Sequence, residues 1–502
     1  MIRRLMFGVV VLVLVLAVAV AAAAYWLFRG DAVRLAIERQ ASAWLAQPVS
    51  IGAADAQLFP RIGVRLQDVR VGEPARLILA AVQVSTDVRA LLSRRVEDAE
   101  ITVSDSRIEM PLPFEVPMAA DATAGGAPAS AADAPGLTVA SVRTIALRNI
   151  RIVSRGREVA ISADSSFAGS RLTISSFTAS SKATSIDVNG VVDFEPVMDA
   201  QLRASAKSLD VDDLLALASA FAPEAAPRPR PAAGAQGRLV ALVTAERASA
   251  AGIDARQFTT TVRVQGTRVS LSPTAFVLFG GRYQGDLDVD LRDATSVALS
   301  ARITDLDVAQ LAAFGGVPDT ITGKLSGNGT FTGRGNDFSA MLSAARGDGN
   351  ASITNGTIRR LNLVRTVVLF FGRPAPDAQP ASDSFDRLDA KFSLARNVVT
   401  AEALSLHSPD VDIVAQGTLA LDVKVLAGKA DLSLSEGLSA QAGTDLLRYT
   451  REGNRVLLPA TIGGTLDAPK LSIDASAALK RGLRNEVDQR LKGLLDRFRR
   501  TP

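Results

Sequence analysis

Apolar and polar residues alternate along much of this chain, for example at residues 101–104, 261–264 and 286–291. Successive side chains of a β-strand point to opposite faces, so the pattern predicts strands with one apolar and one solvent-facing side. The spacing of five candidates predicts that they share the apolar face: Val262, Val264, Leu287, Val289 and Leu291. Arg263 and Asp288 are predicted to point the opposite way.

Short helical patterns interrupt the strands. Asp31 can cap a helix to about Ala46, and one face of this helix is apolar, with Val33, Ile37, Trp44 and Leu45. A repeat of strand, turn, strand and Asp-initiated helix covers GVVDF to LDVDDLL (190–215) and GDLDV to LDVAQL (285–311). A third, looser copy begins at Gly417. Repeated units of this kind stack and bury their apolar faces on their neighbours.

The N-terminal segment predicts a membrane anchor. Residues 5–28 carry no charge and follow Arg3 and Arg4. A bilayer core needs about 20 apolar helical residues, and the preceding arginines favour a cytoplasmic N-terminus. The alternative is a cleaved signal peptide, since residues 17–24 are rich in small side chains. The apolar core of a signal peptide is only about 7–15 residues, which favours the uncleaved anchor.

Composition narrows the chemistry of the 502-residue chain. It has no cysteine and one histidine, and a net charge of +4 does not suggest a nucleic-acid binder. Catalysis by a Ser-His-Asp set would rest on His407 alone. His407 follows the strand pattern of residues 404–406 and precedes Ser408 and Pro409, so it is predicted to lie in a turn. Leu and Val separate Asp286, Asp288 and Asp290, which favours an acidic strand face over a calcium loop. The segment GNGTFTG (327–333) is predicted to be a hairpin turn. No enzyme activity, cofactor or metal site is predicted.

The C-terminal residues 476–502 contain eight basic and three acidic residues. Apolar residues recur there at helical spacing, which predicts a basic amphipathic helix suited to a membrane surface or an acidic partner. An alternative is a helix that caps the open end of the sheet. The docking candidates are Leu483, Val487, Leu491 and Leu495, with Arg490 and Lys492.

Seven segments are predicted along the chain. They are the anchor (1–28), a helix-plus-β unit (29–114), a low-complexity linker (115–136), a middle β repeat (137–221), a Pro-rich loop (222–237), a C-terminal β repeat region (238–475) and the amphipathic helix (476–502).

Several segments, in their order, resemble one family. PVSIG (48–52), LFP (58–60) and LQDVRVG (66–72) resemble the N-terminal signature of the AsmA family of Gram-negative envelope proteins. A strand, a short helix and a strand ending near a proline then match residues 80–84, 88–92 and 101–111. GDGNASITNGTI (347–358) and LPATIGGTL (458–466) resemble its C-terminal domain and final hairpin.

This resemblance implies a mainly β fold. A transmembrane helix would precede an elongated, curled, repetitive antiparallel sheet with short helices, and the apolar side of the sheet would form a groove. Such proteins are similar to bridge-like lipid-transfer proteins, so the five apolar candidates would line the groove and contact phospholipid acyl chains. The alternative function is a non-enzymatic scaffold or regulator of outer-membrane protein assembly and targeting.

The resemblance also implies a location and partners. The chain would cross the bacterial inner membrane once through residues 5–28, with its N-terminus inside and its bulk in the periplasm. The expected partners are membrane phospholipid and, at the C-terminal helix, an outer-membrane or periplasmic protein; nucleic acid is not expected.

We expect residues 5–28 to remain in the mature protein, because the run is long enough to span a bilayer. The chain should then stay with membranes after carbonate washing, which removes peripheral proteins. A mature N-terminus near Tyr25 would contradict this expectation.

Overall fold

The computed structural model describes residues 31–45, 47–57, 62–86, 95–96, 98–112, 138–139, 142–221, 237–292, 295–336, 338–358, 384–441, 451–452, 455–466, 468–474, 476–477 and 480. They fall into two compact units, Met1–Asp254 and Ala255–Pro502. This part of the chain is mainly β, as predicted. Among its helices, none is long and apolar enough to cross a bilayer. The predicted anchor, residues 5–28, and the low-complexity linker, residues 115–136, lie outside the described residues.

The first unit begins with a helix and continues as a series of strands. Its elements are α1 (Asp31–Leu45), β1 (Val49–Gln57), β2 (Ile62–Val71), β3 (Leu77–Thr86), β4 (Arg95–Val96), β5 (Ala99–Ser104), β6 (Arg107–Met110), β7 (Thr138–Val139), β8 (Val142–Ser154), β9 (Arg157–Ala168), β10 (Arg171–Ser180), β11 (Ser185–Asp193), β12 (Asp199–Asp210), α2 (Val211–Phe221) and β13 (Arg238–Ala250).

Most of these strands pair with their neighbours in sequence. The pairs are antiparallel from β1 to β3 and from β8 to β12. β5 and β6 lie between β3 and β8 and run parallel to β8. β13 runs parallel to β12, after the chain has returned through α2. The sequence placed β13 with the C-terminal region, whereas a parallel partner strand needs such a crossover connection and so joins β13 to the first unit.

Helix α1 occupies the edge of β1 that faces away from β2. The Ser42 hydroxyl accepts a hydrogen bond from the Val49 amide at 2.9 Å, and Glu38 accepts one from the Ile51 amide at 2.7 Å. Arg34 donates to the Ile51 carbonyl at 3.1 Å. These three side chains are four residues apart and share one helix face. That face therefore supplies hydrogen bonds that a further strand would otherwise supply.

The apolar face of α1 packs as the sequence predicted where its side chains are described. Ile37 and Leu45 contact the buried cluster of Ile51, Val69 and Val71. The side chains of Val33 and Trp44 lie outside the described part of the chain.

Where the structure describes it, the second unit consists mainly of long strands with short helices between some of them. Its elements are β14 (Ile253–Gln265), β15 (Arg268–Leu278), β16 (Gly281–Asp290), β17 (Thr295–Asp307), α3 (Val308–Phe314), β18 (Lys324–Gly335), α4 (Phe338–Ser343), β19 (Arg346–Thr357), β20 (Ser384–Ala395), β21 (Val398–His407), β22 (Val411–Ala420), β23 (Val425–Leu434), α5 (Glu436–Gln441), β24 (Arg451–Glu452), β25 (Arg455–Thr465) and β26 (Ala468–Ile473).

Each strand from β14 to β23 pairs antiparallel with the next. β25 then pairs with both β23 and β26. The predicted repeat is confirmed, because β11–β12–α2, β16–β17–α3 and β22–β23–α5 all follow the order strand, strand, short helix. The Asp307 carboxylate caps α3 by accepting from the amides of Ala309 and Gln310 at 3.0 and 3.3 Å.

Two predictions about strand boundaries are wrong. Residues 101–111 form two strands, because Asp105 has a positive φ of 49° and ends β5 before β6 begins. Residues 327–333, predicted as a hairpin turn, lie within β18, where each residue pairs with β17.

Aromatic side chains cover the glycines of β18 and β19 and so stabilise these glycine-rich strands. A Cβ at Gly347 would lie 2.4 Å from Cδ1 of Phe331, and one at Gly329 would lie 2.9 Å from Cε2 of the same ring. A Cβ at Gly349 would lie 2.8 Å from Cζ of Phe392. The rings therefore rest over glycines of their own or the neighbouring strand and replace the side chains that those glycines lack.

We expect Gly347→Ala to destabilise the second unit by about 1–3 kcal/mol, because the new methyl group would overlap the Phe331 ring and the Thr330 carbonyl. Gly463→Ala is the matched control, since no atom lies within 4 Å of a Cβ at that strand position. Urea unfolding of both variants gives the comparison. Equal losses of stability would show that the ring does not require glycine beneath it.

Candidate functional site

One face of the second unit carries continuous rows of apolar residues. Partners in an antiparallel register lie on the same face, and the register joins ten strands from β14 to β23 in a leucine row. The row contains Val262, Leu271, Leu287, Leu299, Phe331, Gly347, Leu394, Val399, Leu419 and Leu426. A parallel valine row contains Val264, Val269, Val289, Val297 and Gly333. We call the side that carries both rows the apolar face.

The structure brings four of the five predicted residues together on this face. Val262 and Leu287 belong to the leucine row, and Val264 and Val289 belong to the valine row. Leu291 lies just beyond the end of β16, where its amide donates to the Thr267 carbonyl at 3.0 Å and the residue is 57% exposed.

Burial changes along the strands of the apolar face. Near α3 and α5, another row on this face is buried and forms a core, which we call the closed row. Leu306 and Leu406 of this row are each 4% exposed, and Leu432 and Leu458 are fully buried. The leucine and valine rows, nearer the other end of the strands, remain half-buried. The second unit therefore keeps a band of apolar surface that its own core does not fill.

The first unit repeats this arrangement. Its register aligns Leu147, Ala163 and Phe177 on β8 to β10, and the same line continues through Val188, Ala204 and Val243 on β11 to β13. Most members of this row are half-buried as well. Each unit thus presents its own apolar face.

The opposite side of the sheet is polar and ion-paired. Arg263 and Asp288 are both exposed there, and Arg263 donates to the Ser272 carbonyl at 2.7 Å. Hydrogen bonds from Arg292 hold the pKa of Asp290 well below its usual range. Lys391 pairs with Glu402 at 3.0 Å, and this hydrogen bond raises the pKa of Lys391. Charges on this polar face therefore stay ionised and hydrated.

In the first unit the polar side carries bidentate pairs. Arg148 binds Asp164 through two hydrogen bonds of 2.7 and 2.5 Å, and Arg171 binds Asp193 at 2.7 and 3.1 Å. Each arginine lowers the pKa of its partner carboxyl. These exposed pairs orient the side chains, and each contributes little to the free energy of folding.

An aromatic stack within the apolar face was not predicted. Phe258, Phe276 and Tyr283 lie on β14, β15 and β16, with ring centroids 6.2 and 4.4 Å apart. Burial raises the pKa of the Tyr283 hydroxyl, which keeps it neutral. Beside the stack, the hydroxyls of Thr260 and Thr274 satisfy each other at 2.7 Å. No sequence signal marked this set, because its members are brought together only by the register.

His407 is the last residue of β21, at the edge of a turn. Its Nδ1 is hydrogen-bonded to Asp412, which also accepts from Arg455 at 2.5 Å. The neighbouring Ser408 hydroxyl donates to the Val411 carbonyl at 2.7 Å. His407 therefore takes part in an exposed ionic network between strands.

The predicted docking helix lies outside the residues that the structure describes. This applies to Leu483, Val487, Leu491 and Leu495, and to Arg490 and Lys492. Among the described side chains, no group of three or more His, Asp or Glu residues is arranged to hold a metal ion.

Comparison with known families supports the resemblance noted in the sequence. The model of the AsmA family matches residues 232–404. This range contains all five apolar-face candidates and the segment 347–358, whereas the similar segments 48–72 and 458–466 lie outside it. Comparisons with curated proteins and with solved structures found no match. The likeness to the AsmA family therefore rests on residues 232–404, about a third of the chain.

Proposed function

We propose that this protein binds phospholipid acyl chains on its apolar faces and conducts them between the inner and outer membranes of a bacterial envelope. The single observation that carries the proposal is the leucine row, a half-buried apolar line across ten consecutive strands. The match of residues 232–404 to the AsmA family model is consistent with an envelope role. No chemical step is proposed, so no residue is assigned a catalytic role.

The energetics support a continuous apolar path. Exposing an acyl chain to water costs about 0.8 kcal/mol per CH₂, so a long chain faces a barrier above about 10 kcal/mol. Strands lie about 4.8 Å apart, and ten strands therefore carry the leucine row over roughly 43 Å. A chain that slides along this row exchanges one apolar neighbour for the next and avoids that barrier.

The polar face of the sheet also supports the proposal that lipid binds on the apolar face. Its ion pairs keep one surface of the sheet hydrated while the apolar face holds lipid. We propose that residues 5–28 anchor the chain in the inner membrane with the N-terminus inside, and that the two units lie in the periplasm. The amphipathic segment 476–502 would dock on the outer membrane or on a periplasmic protein.

A protein-binding scaffold in outer-membrane protein assembly is the alternative function. One observation favours it, the turn between β11 and β12 in the first unit. Phe194, Val197 and Met198 are 47%, 49% and 45% exposed there. Exposed apolar residues clustered at one site are typical of protein interaction surfaces.

Photo-crosslinking tests the lipid-binding proposal. We expect a photoreactive amino acid at Leu287 of the full-length protein to capture phospholipid in living cells, because this position lies in the leucine row. The neighbouring position Asp288 is the matched control, since it lies on the polar face of the same strand. Mass spectrometry of the adducts identifies the captured molecule. Equal lipid labelling at both positions would refute the proposal, and protein adducts alone at Leu287 would favour the scaffold.

A charge within the leucine row tests conduction. We expect Leu299→Asp to reduce lipid transfer between vesicles at least tenfold, because an acyl chain cannot solvate an unpaired carboxylate. Ala298→Asp introduces the same charge at the preceding, exposed position on the polar face and should leave transfer unchanged. Circular dichroism checks that both variants fold. Equal transfer by the two folded variants would contradict the proposed path.

A further inference from the structure

Helix α4 rests on the apolar face at the end of the valine row. By strand alternation, Gly333 and Gly335 of β18 point to this face. A Cβ at Gly335 would lie 2.6 Å from the Met341 amide nitrogen and 2.8 Å from the Ala340 carbonyl carbon. A Cβ at Gly333 would lie 3.1 Å from the Met341 carbonyl oxygen. The backbone of α4 therefore occupies the space that side chains at these two positions would fill.

This position places α4 on the apolar face beside the leucine row, the proposed lipid path. Gly333 pairs with Val297, which pairs with Val289 and through it with Val269. The valine row thus runs along β14 to β17 and meets α4 on β18. A lipid that follows this row reaches the helix before it reaches the strands beyond.

The helix is short, and its backbone rather than a buried side chain lies against β18. It has only six residues, too few for stability of its own. None of its described side chains is buried, and Leu342 is 37% exposed. In α3, by contrast, Val308 and Ala312 are buried and Asp307 caps the helix. The Ser343 hydroxyl donates to the Ser339 carbonyl at 2.8 Å within the helix, a bond that does not tie α4 to the sheet.

We infer that α4 is a lid, seated on Gly333 and Gly335, that lifts to admit an acyl chain to the apolar face at the end of the valine row. The inference rests on the proposed function and adds a point of access control to it. Glycine at both seat positions allows the backbone of the helix to approach closely and gives it little apolar surface to bury. Lifting the helix therefore opens the end of the valine row at Gly333 without exposing a buried side chain among those that the structure describes.

A disulfide that pins the helix gives the first test. The chain has no cysteine of its own, so an introduced pair has no competing partner. The Cβ position of Gly333 lies 3.9 Å from Cβ of Met341, within the range of about 3.5–4.5 Å that a disulfide requires. We expect oxidised, full-length G333C/M341C to take up pyrene-labelled phosphatidylethanolamine from vesicles at least fivefold more slowly than the same sample after reduction.

The matched control closes the same loop without pinning the helix. Thr332 and Arg346 are direct partners on the polar face of β18 and β19, at the base of the loop that contains α4. Oxidised T332C/R346C should take up lipid as fast as its reduced form. If oxidation slows both pairs equally, or slows neither while the wild-type chain takes up lipid, the lid is overturned. If the wild-type chain takes up no lipid and Leu287 captures none, the proposed function itself is overturned, and the lid falls with it.

A wedge beneath the helix gives a second test that needs no lipid. Gly335→Val places atoms where the α4 backbone now lies, so residues 338–345 should exchange their amide hydrogens at least tenfold faster than in the wild type. Gly463→Val is the control, because a Cβ there meets no atom within 4 Å. Unchanged exchange in folded Gly335→Val would overturn the lid.

Discussion

The register of the backbone hydrogen bonds is the constraint on which this molecule depends. Side chains alternate between faces along every strand, so a shift of one residue would exchange the apolar and polar faces. Continuous pairing from β14 to β23 places Leu287 directly opposite Leu271 and Leu299 on the neighbouring strands, and the row continues in this way to Leu426. An apolar line that crosses ten strands therefore depends on nine correct pairings, and no single strand contains it.

Two further features stabilise the sheet: a helix that covers a strand edge and a buried core at one end of the strands. At the start of the first unit, Glu38 and Ser42 of α1 hydrogen-bond the outer edge of β1, so that this edge is not left as a template for other strands. In the second unit, the closed row around Leu432 supplies core packing at one end of the strands. The buried core and the half-buried leucine row thus occupy different portions of the same strands.

The sequence predicted the parts of the fold that depend on local pattern. Alternation placed Val262, Val264, Leu287 and Val289 on one face, and the repeated Leu-Asp-Val motif located α2 and α3. The sequence-based predictions failed where contacts between distant residues determine the structure. The glycines of β18 have the composition of a turn, but the Phe331 ring covers Gly347 on the next strand and so fills the space above the glycines. Helix α4 was not predicted, because its sequence FSAMLS has no strong helical periodicity. Its position depends on Gly333 and Gly335 of β18, which leave space for its backbone.

The pairing of strands with their sequence neighbours also determines how the chain can acquire its structure. In the second unit each strand from β15 to β23 can add to the one made just before it, so every loop that closes is short or moderate and its entropic cost is small. The described part of the first unit also contains parallel pairings, namely β4 with β7, β5 and β6 with β8, and β12 with β13. Parallel strands cannot be joined by a tight turn, so a longer connection must cross the sheet before they pair. Folding as the chain is synthesised would therefore be slowest at these parallel pairings, in the half that emerges first, while the later half would add one strand after another.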